Sequence, residues 1–161
     1  MSVATSRRTS DPGTRRWMRG GVLLGLGLGG FFDGIVLHQI LQWHHLLSAR
    51  ELPVTLDALK LNTLFDGLFH ALTYVLTVAG VLLVWQGRGE SGQPRPWPVF
   101  AGTLLLGWGL FNVVEGLINH QLLGLHHVRP GPHQLAYDLG FLAWGAVMIV
   151  LGRALMRPRP G

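Results

Sequence analysis

Residues 33–45, DGIVLHQILQWHH, decide the fold together with their counterpart at residues 115–127, EGLINHQLLGLHH. The two stretches align without a gap, and matched residues are 82 positions apart, from Asp33 and Glu115 to His45 and His127. An acid, a Gly, a His, a Gln and a closing His-His pair coincide in both copies. Apolar composition alone does not produce such a match among polar residues, so the pattern indicates an internal duplication.

Both copies lie within hydrophobic stretches that are long enough to cross a membrane. Apolar runs cover residues 20–43, 59–85, 97–125 and 135–155, and each supplies the roughly 20 residues that a transmembrane helix needs. Of the 161 residues, 48% are hydrophobic and 13% are charged, against roughly 25% charged in a soluble domain. We therefore predict an all-α protein, a four-transmembrane-helix bundle formed by two tandem helix hairpins.

Small residues in the first span predict where the helices meet. Gly21, Gly25 and Gly29 recur every four residues, and such a ridge allows two helix backbones to approach closely. The two hairpins each contain two spans and therefore have the same orientation in the membrane. We expect spans one and three to face each other as equivalents.

Polar segments around the spans give the predicted orientation and domain limits. Ten Lys and Arg residues lie on the side of the termini and the central linker, and three lie on the other side. The positive-inside rule then places both termini in the cytoplasm of a multi-pass protein of the inner (plasma) membrane. The predicted divisions are a disordered basic cytoplasmic arm (1–19), a first hairpin (20–86), a cytoplasmic linker (87–96), a second hairpin (97–156) and a cytoplasmic tail (157–161).

The net charge of +5 does not indicate a nucleic-acid partner. The basic residues cluster at the chain ends and in the linker and are not interleaved with aromatic residues, as they are in a nucleic-acid interface. The expected partner is the lipid bilayer, with a homo-oligomer or a respiratory assembly partner as further possibilities. The chain has no Cys, so thiolate metal sites and thiol nucleophiles are excluded.

Ionisable residues inside the spans are the candidate functional residues. Counted at about 1.5 Å per residue from the outer ends of the spans, they collect in the outer half of the bundle. A carboxylate at such depth costs about 2.5–3.5 kcal/mol, so we expect these groups to face inward, paired or bound. They are Asp33, Asp66, Glu115 and Asp138 with the embedded His38, His70 and His120.

Histidine and carboxylate without Cys favour zinc, iron or Cu(II) as the bound metal ion. The candidate metal ligands are these seven residues and the histidines at the span ends, His44, His45, His126 and His127. Asp33 and Glu115 are also candidate general bases for a metal-activated reaction on a lipid-like substrate. The predicted function is metal handling or metal-dependent membrane chemistry, and the sequence leaves open whether the protein is an enzyme.

Other interpretations of the same residues stay open at this point. His38 and His120 are equivalent in the repeat and are the candidate axial ligands of a b-type haem for electron transfer. A proton- or ion-coupled permease, or a respiratory-complex assembly partner, would use the acids and histidines as a relay. A purely structural interhelical hydrogen-bond network would use the same residues, and the four histidines at the span ends also suit a membrane interface.

The spacing of the acid and the first histidine presents a geometric problem. Asp33 and His38 are five positions apart, about 140° around an ideal α-helix, and so do not point in one direction. A kink or local unwinding near Gly34 would bring them together.

Three polar strings carry a resemblance to a known family. They are residues 31–39 (FFDGIVLHQ), 64–70 (LFDGLFH) and 111–116 (FNVVEG), followed by His120 and the pair His126-His127. These strings resemble the signature of an uncharacterised family of small bacterial membrane proteins, domain of unknown function 2243, over nearly all of residues 20–156. The resemblance implies a multi-spanning membrane protein and supplies no established activity or cofactor. It also suggests company with cytochrome oxidase assembly proteins.

Overall fold

A computed structural model describes residues 11–88 and 96–157 of the chain. The described residues form four helices that are long and apolar enough to cross a membrane. Their segments are α1 (Pro12–Phe32) with the π-helical π1 (Asp33–Ile40), α2 (Leu56–Gln86), α3 (Trp97–Glu115) with the π-helical π2 (Gly116–Leu122), and α4 (Gln134–Met156). The prediction of an all-α bundle with four membrane-spanning helices is confirmed.

The first helix begins earlier than predicted. Pro12 occupies its first turn, where the missing N–H costs nothing, and Asp11 caps it by accepting a 2.9 Å hydrogen bond from Thr14 N. Residues 12–19 are therefore helical, and their assignment to a disordered arm was wrong. Residues 1–10, 89–95 and 158–161, which hold the rest of that arm, most of the linker and most of the tail, lie outside the described residues.

Two helix hairpins pack side by side through their first helices. α1 contacts α2 within the first hairpin, α3 contacts α4 within the second, and α1 contacts α3 between them. The predicted glycine ridge forms this central contact, because a Cβ on Gly25 would lie 3.0 Å from Gly107 Cα. Gly107 is the repeat equivalent of Gly25, so the equivalent helices meet at equivalent residues.

Polarity is distributed as expected for a protein in a bilayer. Among the described residues, the buried side chains are mostly polar or ionisable, and only five are hydrophobic. Large apolar side chains such as Leu64, Leu68 and Leu72 on α2 are more than half exposed. Lipid solvates these exposed side chains without cost, whereas the polar interior must satisfy its own hydrogen bonds.

The duplication extends to the backbone of the turns that follow π1 and π2. Gln42 and Gly124, 82 positions apart, both adopt positive φ, 50° and 55°. Trp43 N donates to Leu37 O, and the equivalent Leu125 N donates to Asn119 O, each over 2.9 Å. These turns lead into loops 41–55 and 123–133, which lie at the same end of the bundle, here named the loop end.

Candidate metal centre

The two π-helical segments solve the spacing problem posed by the acid and the first histidine. A π-helix forms i→i+5 hydrogen bonds, so residues five apart lie on the same side of the helix. His38 Nε2 consequently lies 3.2 Å from Asp33 Oδ2, and His120 Nε2 lies 3.3 Å from Glu115 Oε2. Local rewinding of the helix from Asp33 in the first half and from Gly116 in the second brings each acid and histidine together.

In the first half, Asp66 of α2 holds the His38 ring through its Nδ1 atom. Its Oδ1 accepts from His38 Nδ1 over 3.0 Å and from Leu46 N over 2.9 Å. Its Oδ2 accepts from His45 Nδ1 over 2.6 Å. Asp66 is buried, and its carboxylate accepts from three donors, which fixes the orientation of the His38 ring.

The second half repeats this arrangement with Asp138 of α4. His127 Nδ1 donates to Asp138 Oδ2 over 2.7 Å, and Val128 N donates to Oδ1 over 3.0 Å. His120 Nδ1 lies 3.5 Å from Asp138 Oδ1, a looser contact than its counterpart in the first half. The duplication thus preserves the chemistry of the site as well as the sequence motif.

His44 and His126 connect the two halves at the loop end. His44 Nδ1 donates to Val128 O of the second loop over 2.8 Å, and His126 Nδ1 donates to Leu46 O of the first over 3.1 Å. The His44 and His126 rings stack with centroids 4.6 Å apart and planes 12° apart. Each His-His pair therefore has one member bonded to its own half and one bonded to the other.

These backbone bonds select the tautomer of the two stacked rings. A carbonyl oxygen only accepts, so the proton of a neutral His44 or His126 lies on Nδ1 and its Nε2 carries a lone pair. Burial, together with the neighbouring His126 and His38 imidazoles, lowers the pKa of His44 to about 2. His44 is thus neutral at physiological pH, which is the form that binds metals.

The atoms directed at the centre of the site have no hydrogen-bond partners among the described residues. They are Nε2 of the four histidines 38, 44, 120 and 126, named here the imidazole cluster, with Asp33 Oδ1 and Glu115 Oε2. Some of these atoms lie close to a carboxylate oxygen: His126 Nε2 is 2.8 Å from Glu115 Oε1. The angle at such a contact is unsuitable for a hydrogen bond. Buried polar atoms without partners are rare, and a bound ion is one explanation for them.

Two groups of side chains bring their donor atoms within 4.8 Å of one another. One consists of His38, His44 and His126, and the other of Glu115, His120 and His126. All five residues are buried. Such groups could hold a metal ion.

Four of the five remaining predicted residues support the imidazole cluster without belonging to it. Asp66 and Asp138 orient its rings, and His45 and His127 complete the hydrogen bonding of those carboxylates. His70 lies apart from both groups: its Nδ1 donates to Asp66 O over 2.7 Å, and its ring lies beside Phe31 and Phe69. The structure therefore brings together six predicted residues, Asp33, His38, His44, Glu115, His120 and His126.

Sequence reasoning missed the backbone carbonyls of Leu46 and Val128. Each immediately follows a histidine pair in the repeat, but nothing in the sequence indicates that the two loops exchange hydrogen bonds.

A family comparison covers most of the membrane-spanning part of the chain. Residues 20–159 match the model of the family described as "Predicted membrane protein (DUF2243)". The chain belongs to the DUF2243 family. The matched range includes both copies of the repeat and every residue of the imidazole cluster. A search of curated proteins and a search of solved structures each found no match.

Proposed function

We propose that this membrane protein binds a divalent metal ion through the imidazole cluster and the adjoining acids. The protein then functions either in metal handling or in a metal-dependent reaction in the membrane. One observation carries the proposal: the buried Nε2 atoms converge without hydrogen-bond partners among the described residues, while Nδ1 of three of the four rings is bonded to a carboxylate or carbonyl. Metal-binding histidines characteristically present one nitrogen to the metal and donate the other N–H in this way.

The donor set favours zinc, iron or Cu(II). Imidazole nitrogen and carboxylate oxygen suit these ions, whereas Cu(I) prefers thiolate or thioether sulfur. Met148 is buried, but it lies ten residues along α4 from Asp138, which is about 15 Å of helix. Asp33 and Glu115 lie within 3.3 Å of an Nε2 atom, so we assign them first as ligands and second as general bases.

A haem between His38 and His120 has less support. A porphyrin must fit between its two axial ligands, but the space beside both rings is filled by other imidazoles. The His44 ring centroid lies 4.4 Å from that of His38, and the His126 centroid lies 4.8 Å from that of His120. We expect purified protein to show no Soret band.

A purely structural hydrogen-bond network also has less support. Such a network gains stability by pairing its donors and acceptors, and unpaired buried groups cost about 1–3 kcal/mol each. Asp66 and Asp138 meet that requirement, whereas the atoms facing the centre do not. A metal ion would satisfy the nitrogen and oxygen lone pairs together.

The test is the metal content of untagged protein, purified in detergent from cells grown with zinc, iron and copper and measured by mass spectrometry. We expect wild-type protein to retain one of these metals and a His44→Gln, His126→Gln double variant to lose it. His133→Gln is the matched control, because His133 is an exposed loop-end histidine. Metal-free wild-type protein, or equal metal in both variants, would contradict the proposal.

A further inference from the structure

We infer that the centre holds two divalent ions, one in each half of the duplicated chain, each bound by two histidines and one carboxylate. The inference rests on the proposed metal binding and adds its stoichiometry and donor sets. The first set is Asp33, His38 and His44, and the second set is Glu115, His120 and His126. The sets are repeat equivalents, residue for residue.

The duplicated contacts support two sites rather than one. Each half has an acid about 3.2–3.3 Å from the Nε2 of its own histidine. Within each half, the two ligand rings lie at similar separations, 4.4 Å between His38 and His44 and 4.8 Å between His120 and His126. A single central ion would use this duplicated arrangement only in part.

His126 can bind only one ion, so the histidine ligands must be divided between two donor sets. It belongs to both compact groups, but its Nδ1 donates to Leu46 O, so only Nε2 is available and it serves one ion. Assigning His126 to its own half leaves His44 for the other, and each ion then has two imidazoles. The short contact between His126 Nε2 and Glu115 Oε1, 2.8 Å, favours this assignment.

Charge gives an independent argument. Four carboxylates are buried together, Asp33, Asp66, Glu115 and Asp138, and buried negative charge requires compensation. Two divalent ions carry the positive charge that matches four carboxylates, so the set of buried acids suits two ions.

Two histidines and one carboxylate are a donor set found in catalytic metal sites. Three protein ligands leave a zinc ion an open fourth position, which suits water, hydroxide or another small oxygen donor. Two such ions held about 3.5–4 Å apart act together on one oxygen ligand. The ligand class expected at this centre is therefore a small oxygen donor shared by the two ions.

The two donor sets differ in geometry, and a titration can detect the resulting difference in affinity. Asp33 is one methylene shorter than Glu115, and the second triad is the one whose three donor atoms all lie within 4.8 Å. We expect the second half to bind its ion more tightly. His120→Gln should then remove the tighter equivalent, and His38→Gln the weaker one.

Chelator-treated, untagged protein in detergent is titrated with Zn²⁺, and bound zinc is measured after gel filtration. The expected results are two equivalents for wild type and for His133→Gln, and one equivalent each for His38→Gln and His120→Gln. Wild type that saturates at one equivalent would overturn the inference and leave the proposed function standing. Wild type that binds no zinc, iron or Cu(II) would overturn both.

A second measurement tests whether the two ions are neighbours and needs no variant. Wild-type protein loaded with two equivalents of Cu²⁺ should give a spin-coupled electron paramagnetic resonance spectrum with a half-field transition. Two equivalents that give only the spectrum of isolated Cu²⁺ would overturn the paired arrangement.

Discussion

Asp66 and Asp138 show what an isolated acidic residue in a transmembrane helix can do. Each accepts hydrogen bonds from a histidine ring and a loop backbone N–H at the loop end. Each is almost completely buried, so its hydrogen bonds meet little competition from water. These acids fix the direction of the rings, and a metal centre depends on that direction.

Removing the charge of Asp66 should therefore weaken metal binding without removing a ligand. We expect Asp66→Asn to lower metal affinity about 10–100-fold, the usual cost of losing a carboxylate behind a ligand histidine. Asp57→Asn is the control, because Asp57 begins the same helix with its side chain in solvent. Competition with a chromogenic chelator measures both affinities, and an unchanged Asp66→Asn affinity would remove Asp66 from the site.

The sequence indicated which residues belong to the site because ionisable side chains are costly in a membrane. It could not separate ligands from supporting residues. Asp33 and Asp66 are both acids inside spans, and only the structure shows that one lies beside an Nε2 atom and the other beside an Nδ1 atom. The position of His70 likewise depends on packing against Phe31 and Phe69, which has no counterpart in the repeat.

At the scale of the elements, the π-helical segments make the site. The apolar runs predicted three of the four spans to within a few residues, because any helix across a bilayer shows a long apolar run, but they missed the first eight residues of the first span. They could not reveal π1 and π2, since local rewinding leaves the apolar character of the run unchanged. The only sequence signal was the five-residue interval between acid and histidine, present in both copies.

At Gly34, where π1 packs against α2, there is no room for a side chain. A Cβ at this position would lie 2.5 Å from His70 Nε2 and 2.8 Å from its Cε1, and the His70 ring is held by its bond to Asp66 O. Gly34→Ala should lower the melting temperature in detergent, since such overpacking costs about 1–3 kcal/mol. It should also reduce metal binding, because Asp33 and His38 flank the displaced backbone.

Two further variants test whether the contact with His70 causes the effects of Gly34→Ala. Gly67→Ala should not lower the melting temperature, because no atom lies within 4 Å of the added Cβ. The double variant Gly34→Ala, His70→Ala should recover both stability and metal content. Failure of that recovery would show that His70 either binds the metal itself or is not the residue against which Gly34 packs.

At the scale of the whole molecule, two similar hairpins form one centre by exchanging hydrogen bonds. His44 and His126 each bond to the loop of the other half, and Ala49 N donates to Leu125 O over 2.9 Å. The sequence predicted the duplication and the facing of α1 and α3. It could not predict the exchange between the loops, which depends on backbone atoms that every residue type carries.

Charge asymmetry predicts that the loop end faces away from the cytoplasm. The chain has no Cys, so single cysteines report this orientation directly. A membrane-impermeant maleimide should label His133→Cys at the loop end in intact cells, and label Arg88→Cys at the other end only after permeabilisation. Both replaced residues are exposed, and the reverse labelling pattern would invert the predicted topology.

The central claim is that the imidazole cluster binds metal, and anomalous X-ray scattering tests it most directly. Crystals of wild-type protein grown with zinc are measured on both sides of the zinc absorption edge. We expect anomalous density inside the bundle, about 2.0–2.1 Å from buried Nε2 atoms of the imidazole cluster. Density confined to exposed histidines such as His133, with none among the buried Nε2 atoms, would contradict it.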